Sequence, residues 1–450
     1  MSYLDGFIFL CGFAGRISVK VVGDMYITEL MFVVVIVLYI KNVSKIFRSL
    51  LAITSAFIIM WLLSQVVTDI FRQTTFEDWS RGWAKIILFW VDIIALVLLT
   101  QLRIGMVVIF VAGFAFAFAI QALFFPTEMQ MGDDFGGGLW KFGLAAFFNP
   151  IAAVLSTSPW LRRMMGAAGE FAPLIVIGMV DLALNNRNAF GVAMAAVAFG
   201  MLKGSIDLQP RWRASVTPVT FALMIGCGLL FSQGMVAIYS VAAENNLLGE
   251  AAKEKYEFQS SGDLGLLLSG RTESIGSTRA ILDSPIIGHG SWARDIRYTV
   301  LMVAALEASG VKMVGDPYQD DLIPTHSHIL GSWVEAGFLG GLFWLFVLAI
   351  TVGALYRCLK LADVPATFVG YVLFSALWNV AFSPFANSAR IGDAAALCLV
   401  LSIWRSAEMS DDARDSRVSI LSRRKNSRRA TGRTPPTKPL HSSTSPQSDP

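Results

Sequence analysis

Lys85-Ile-Ile-Leu-Phe-Trp-Val-Asp-Ile-Ile-Ala-Leu-Val-Leu-Leu-Thr100 is almost entirely apolar, and only Lys85 and Asp92 carry charge. A run of this kind is long enough, with its flanks, to cross a hydrocarbon layer as a helix. Similar runs recur along the 450 residues, of which 55% are hydrophobic and only 15% charged. An ordinary soluble domain carries roughly 25% charged residues, and the mean hydropathy here is +0.59. The chain therefore reads as an all-α polytopic membrane protein. Cytosolic enzymes, secreted disulfide scaffolds and nucleic-acid readers are excluded.

Twelve spans can be drawn, starting near Leu4, Met25, Leu50, Lys85, Ile104, Phe142, Phe171, Ala189, Val216, Ile329, Ala366 and Ile391. The first is interrupted by Arg16 and reads as a short or re-entrant helix ending before Gly23, retained rather than cleaved. Orientation follows from the connecting segments. Lys41, Lys45, Arg48, Arg103, Arg162, Arg163, Lys203, Arg211, Arg213, Arg357 and Lys360 fall in every second connection. The alternate connections are neutral or acidic, including residues 242–325, which carry seven basic and twelve acidic residues. This places both termini in the cytoplasm and the long loop outside. Residues 1–405 form the transmembrane domain, 242–325 its large extracytoplasmic loop, and 406–450 a basic, Ser/Pro-rich tail that reads as disordered.

Within the loop, Arg271–Asp283 and Arg294–Ala308 read as two helices, the first stopped by Ser284-Pro285. They suggest a lid over a cavity. Three cationic or titratable residues fall on the outer side of this topology: Arg187, Arg271 and His326. Charge near a membrane boundary is costly unless paired or hydrated, which makes such residues functional candidates. Each also has a structural reading: Arg187 snorkels to headgroups, Arg271 caps its helix, and His326 is an interfacial histidine. Arg279 has Asp283 at i+4, a local helix pair. His326 and His328 point about 200° apart on a helix, and no metal-binding spacing appears, so no metal is expected. The four cysteines lie in or beside apolar stretches and imply no disulfide framework.

His326-Ser-His-Ile-Leu-Gly-Ser-Trp-Val-Glu335-Ala-Gly337-Phe-Leu-Gly340-Gly341 resembles the signature of the O-antigen ligase and O-antigen polymerase superfamily. In that family His-Asn/Ser-x-x-Leu precedes Glu-x-Gly-hydrophobic-x-Gly. Asn186-Arg187-Asn188-Ala189 resembles its Ser-Arg-x-Ala segment, with Asn186 in place of Ser. Gly270-Arg271 followed by Pro285-Ile-Ile-Gly288-His-Gly290 resembles its Gly-Arg…Pro-x-x-Gly-x-Gly segment. Asn149-Pro150 is similar to its Asn-Pro element, with Ile151 where a second Asn is frequent. The resemblance covers roughly residues 80–405.

The resemblance implies a GT-C-like fold and inverting, metal-independent glycosyl transfer on the outer face of a bacterial inner membrane, with no cofactor. The donor would be a polyprenyl-pyrophosphate-linked glycan, and the acceptor a hydroxyl on a lipid-linked glycan or the lipid A core. Membrane lipids are the remaining partners, and no nucleic acid is involved. Arg187 and Arg271 would bind the pyrophosphate and His326 would be catalytic, with Asn149, Arg279, His328 and Glu335 as supporting residues. The competing class is a lipid-linked oligosaccharide flippase or other transporter, which needs charge deep in the bundle; Asp92 and Asp181 are the evident deep acids.

Overall fold

The computed structural model describes residues 2–20, 23–41, 50–126, 138–226, 240, 241, 244, 245, 253, 273–308 and 321–430, without side-chain surroundings at 210, 214, 387, 388 and 413–430. Arg271 lies outside them, as does most of the span expected from Val216. Two compact units result, Met1–Arg405 and Ser406–Pro450.

The elements are helical apart from one hairpin. They run α1 (Tyr3–Phe13), α2 (Ile27–Leu38), α3 (Leu50–Arg72), α4 (Phe76–Thr100), α5 (Ile104–Phe124), α6 (Ala145–Leu155), α7 (Pro159–Met165) and α8 (Ala168–Ala183). There follow α9 (Arg187–Leu208), α10 (Pro210–Ser215), α11 (Glu273–Asp283), α12 (Ile296–Ala308), α13 (His328–Ala336), α14 (Phe338–Lys360), α15 (Ala366–Phe382) and α16 (Asn387–Ala430). Strands β1 (Ser18–Lys20) and β2 (Asp24–Tyr26) pair antiparallel, Val19 opposite Met25.

Among the described residues α3, α4, α5, α9 and α14 are long and apolar enough to cross a membrane. Residues Trp140–Leu155 with Pro159–Met165, bent by 73°, make a sixth if taken as one span. The side-chain distribution on α3 is inverted relative to a soluble protein. Thr54, Ser55, Gln65, Thr68 and Asp69 are buried, whereas Ile53, Leu63, Val67, Ile70 and Phe71 are exposed. A helix with its polar stripe inward and its apolar stripe outward suits a lipid surround.

Three elements bear on the sequence expectations. The first span, read as short or re-entrant, is the 11-residue α1; a 3-10 turn and the hairpin around Gly23 (φ 70°) follow it. The span expected from Ile329 is two helices, because Gly337 takes φ 70° and ends α13 before α14 starts. Regular helix also runs on to Ala430, into the segment that reads as disordered. No Gly or Pro falls between Asp393 and Ala430; the breakers begin only at Gly432 and Pro435.

The two loop helices form as the pattern predicts, with starts at Glu273 and Ile296. Ala280 of α11, Tyr298 of α12, Ile323 and Val334 of α13 share one small core. A second, aromatic core joins α3, α4 and α14 to the 383–386 turn. Trp61 lies 5.0 Å from Phe343, Phe89 5.2 Å from Phe385 and Trp344 4.9 Å from Phe385. Offset and edge-on ring pairs at such distances add to burial.

Candidate functional site

Two glycine-bearing motifs that lie about 50 residues apart in sequence meet backbone to backbone. His289 N donates to Val334 O (2.7 Å), Gly290 N to Glu335 O (3.0 Å) and Phe338 N to Ile286 O (3.2 Å). Gly288 (φ 80°) and Gly337 (φ 70°) face each other in this junction. A Cβ on Gly288 would stand 2.9 Å from Glu335 O, and one on Gly337 would collide with the Ile286 carbonyl. Both positions therefore need glycine for conformation as well as space. Gly337 marks the break between α13 and α14. Gly340 and Gly341 do serve close packing, against Ser332 O and the Trp333 ring.

The junction is fastened to α3 and α4 by buried polar groups. Asp69 accepts from Ser291 N (2.6 Å), Ser291 Oγ (2.7 Å) and Trp83 Nε1 (2.8 Å). Arg72 donates to Gly288 O (2.9 Å) and Ser284 Oγ (2.6 Å), and Thr68 to Ile287 O. Glu335 pairs with Lys85 at 2.8 Å, and Lys85 lies 6.0 Å from the Trp292 ring and 5.8 Å from that of Phe385. Sequence reasoning singled out Glu335 but missed Asp69 and Lys85. Their signal was charge at the ends of apolar runs.

His326 is half-buried and precedes α13, with Nδ1 3.7 Å from the Glu273 carboxylate. Glu273 opens α11, two positions after Arg271 in sequence. His328 is fully buried. Its Nδ1 lies 2.6 Å from Ser383 O and its Nε2 2.9 Å from Asp393 Oδ2. Between these two residues, Ser327 Oγ donates to Val380 O (3.0 Å) and caps α13 through Leu330 N. The peptide carrying His326 is thus anchored on its far side to α15 and α16. Nothing in the local sequence around Asp393 marks it for this role.

Arg187 is half-buried at the first turn of α9. The turn before it is fixed by Asp181: its Oδ1 accepts from Asn186 Nδ2 (3.0 Å) and Trp140 Nε1 (2.8 Å), and its carbonyl from Asn186 N (2.7 Å). Asn149, buried beside Pro150 in α6, lies within interaction range of the same carboxylate. The Asn-Pro and Asn-Arg-x-Ala stretches therefore converge on one acid. Arg279 pairs with Asp283 at 3.0 Å. Asp283 also accepts from Tyr298 OH at 3.0 Å. Burial and that bond push the Tyr298 phenol up to about 12.

Fold and site together define an all-α protein with several helices apolar enough to span a membrane, whose sequence motifs meet around buried polar groups. Compared with family models, curated proteins and solved structures, the chain matches none.

Proposed function

We propose that this chain is a bacterial inner-membrane glycosyltransferase, a ligase or polymerase of the O-antigen type. Twelve spans in a GT-C-like arrangement would keep both termini cytoplasmic and residues 242–325 outside. The donor would be a polyprenyl-pyrophosphate-linked glycan, and the acceptor a sugar hydroxyl on a lipid-linked glycan or lipid A core.

The observation that carries the reading is the pairing of Ile286–Gly290 with Val334–Phe338, which joins two of the stretches that resemble the family signature. The approach of His326 to Glu273, next to the Gly270-Arg271 stretch in sequence, adds support.

The chemistry suits the residues. Departure of a lipid pyrophosphate concentrates negative charge, and the guanidinium forks of Arg187 and Arg271 can bind its oxygens bidentately. Such preorganised stabilisation is worth roughly 3–4 kcal/mol per group. His326, whose Nδ1 lies toward Glu273, would accept the proton of the attacking hydroxyl, worth about 10²–10⁴-fold. Attack from the face opposite the leaving group inverts the anomeric centre.

The second reading is a lipid-linked oligosaccharide flippase, favoured by the buried charges Glu29, Asp92 and Arg390 in the bundle. Deleting the gene and analysing surface glycan tests the first reading. Loss of all attached polymer indicates a ligase, and a single repeat on the core indicates a polymerase. Unchanged surface glycan contradicts both.

A further inference from the structure

Glu29 on α2, Asp92 on α4 and Arg390 on α16 meet in the interior, and none of the three is more than 1% exposed. Arg390 Nε donates to Glu29 Oε1 (2.6 Å) and Nη2 to Asp24 O (3.1 Å). The second Glu29 oxygen accepts from Tyr26 N at 2.7 Å. Glu29 is thereby saturated. Asp92 is treated differently: its nearest cation is Arg390 Nε at 3.9 Å, and neither carboxylate oxygen has a hydrogen-bond partner.

Among the described residues, two acids therefore share one guanidinium, leaving one negative charge in a fully buried, apolar setting. The charged groups bearing on Asp92 are Glu29 from α2 and Arg390 from α16. Tyr26, buried 5.7 Å from the Arg390 guanidinium, is neutral; Arg16, held by Gln121 Oε1 at 2.7 Å and the Phe118 ring, keeps its charge but is not one of the groups bearing on Asp92. An uncompensated interior carboxylate is too costly for a marginally stable fold.

We infer that Glu29 and Asp92, with Arg390 between them, form a binding site for one small monovalent cation, a proton or a sodium ion, held at the unpartnered Asp92 oxygens. The inference rests on this charge count and is independent of the transferase and flippase readings alike.

The test uses the full-length protein purified in detergent. Infrared spectroscopy reads the carbonyl stretch of a neutral carboxylic acid. Thermal unfolding in sodium chloride, against choline chloride at equal ionic strength, reads sodium. A bound proton gives a neutral-acid band that disappears in Asp92→Asn, a near-isosteric mimic of the protonated acid. Bound sodium gives an unfolding temperature that rises with sodium in the wild type and not in Asp92→Asn. Glu29→Gln is the second variant, should Asp92→Asn not fold, and it too abolishes whichever signal the wild type shows. A wild type with neither signal, or a signal that survives both substitutions, overturns the proposal.

Discussion

Removing the Asp69 carboxylate should undock the Ser284–Trp292 segment. Asp69 is 3% exposed and takes three donors at 2.6–2.8 Å. In Asp69→Ala the Ser291 hydroxyl can turn to Gln65 Oε1, which is buried without a partner, but Ser291 N–H and Trp83 Nε1–H are orphaned. Each orphaned donor costs about 1–3 kcal/mol, and the lost charge-assisted bonds add to that. Allowing for coupling between neighbours, the total is about 3–5 kcal/mol. Asp69→Asn keeps the shape yet turns an N–H₂ group toward Trp83 Nε1–H, so about 2–3 kcal/mol is lost even there. The assay is equilibrium unfolding in detergent together with hydrogen exchange at the 284–292 amides. An Asn variant within about 0.5 kcal/mol of wild type, with unchanged protection at Ser291, would refute the reasoning.

Two further outcomes follow from the geometry and a third from the proposed chemistry. Tyr298 is neutral in the fold up to about pH 12, whereas an unfolded tyrosine ionises near 10. Above pH 10 the unfolded state therefore binds fewer protons, and stability falls by about 2–3 kcal/mol between pH 10 and 12; Tyr298→Phe should flatten that slope in a pH-dependent unfolding series. Gly337→Ala combines an unfavourable φ of 70° with a clash on the Ile286 carbonyl, and should cost at least about 1–2 kcal/mol by thermal unfolding, far more than Gly105→Ala, which meets nothing. Arg271→Lys keeps the charge but loses the planar fork, so glycan transfer should fall by at least about tenfold while membrane insertion, followed by fractionation, is unchanged.

Apolar runs were enough to place α3, α4 and α5, because a span is a local property of composition. The loop helices were legible for a similar reason: Ser284-Pro285 stops the first, and the 294–308 pattern carries the second. Gly337 was not readable as a break, since positive φ is imposed by its distant neighbours Ile286 and Gly288. The local pair Arg279–Asp283 was legible from its i+4 spacing, but long-range partnerships between charges were not. Lys85 with Glu335, His328 with Asp393 and Arg390 with Glu29 join residues 65 to 361 positions apart, and one sequence does not encode who meets whom. Asp181, read as a deep acid, is buried and hydrogen-bonded by Trp140 and Asn186.

The central claim is that imidazole-assisted attack on a pyrophosphate-linked sugar occurs in this protein. Purified chain in lipid, given a polyprenyl-pyrophosphate glycan and a lipid-linked acceptor in the presence of a chelator, should form a new inverted glycosidic linkage and release polyprenyl pyrophosphate, both read by mass spectrometry. His326→Ala should reduce that rate by at least about 10²-fold. Glycan that crosses the bilayer with its linkage intact, or a His326→Ala protein as active as the wild type, would contradict the account.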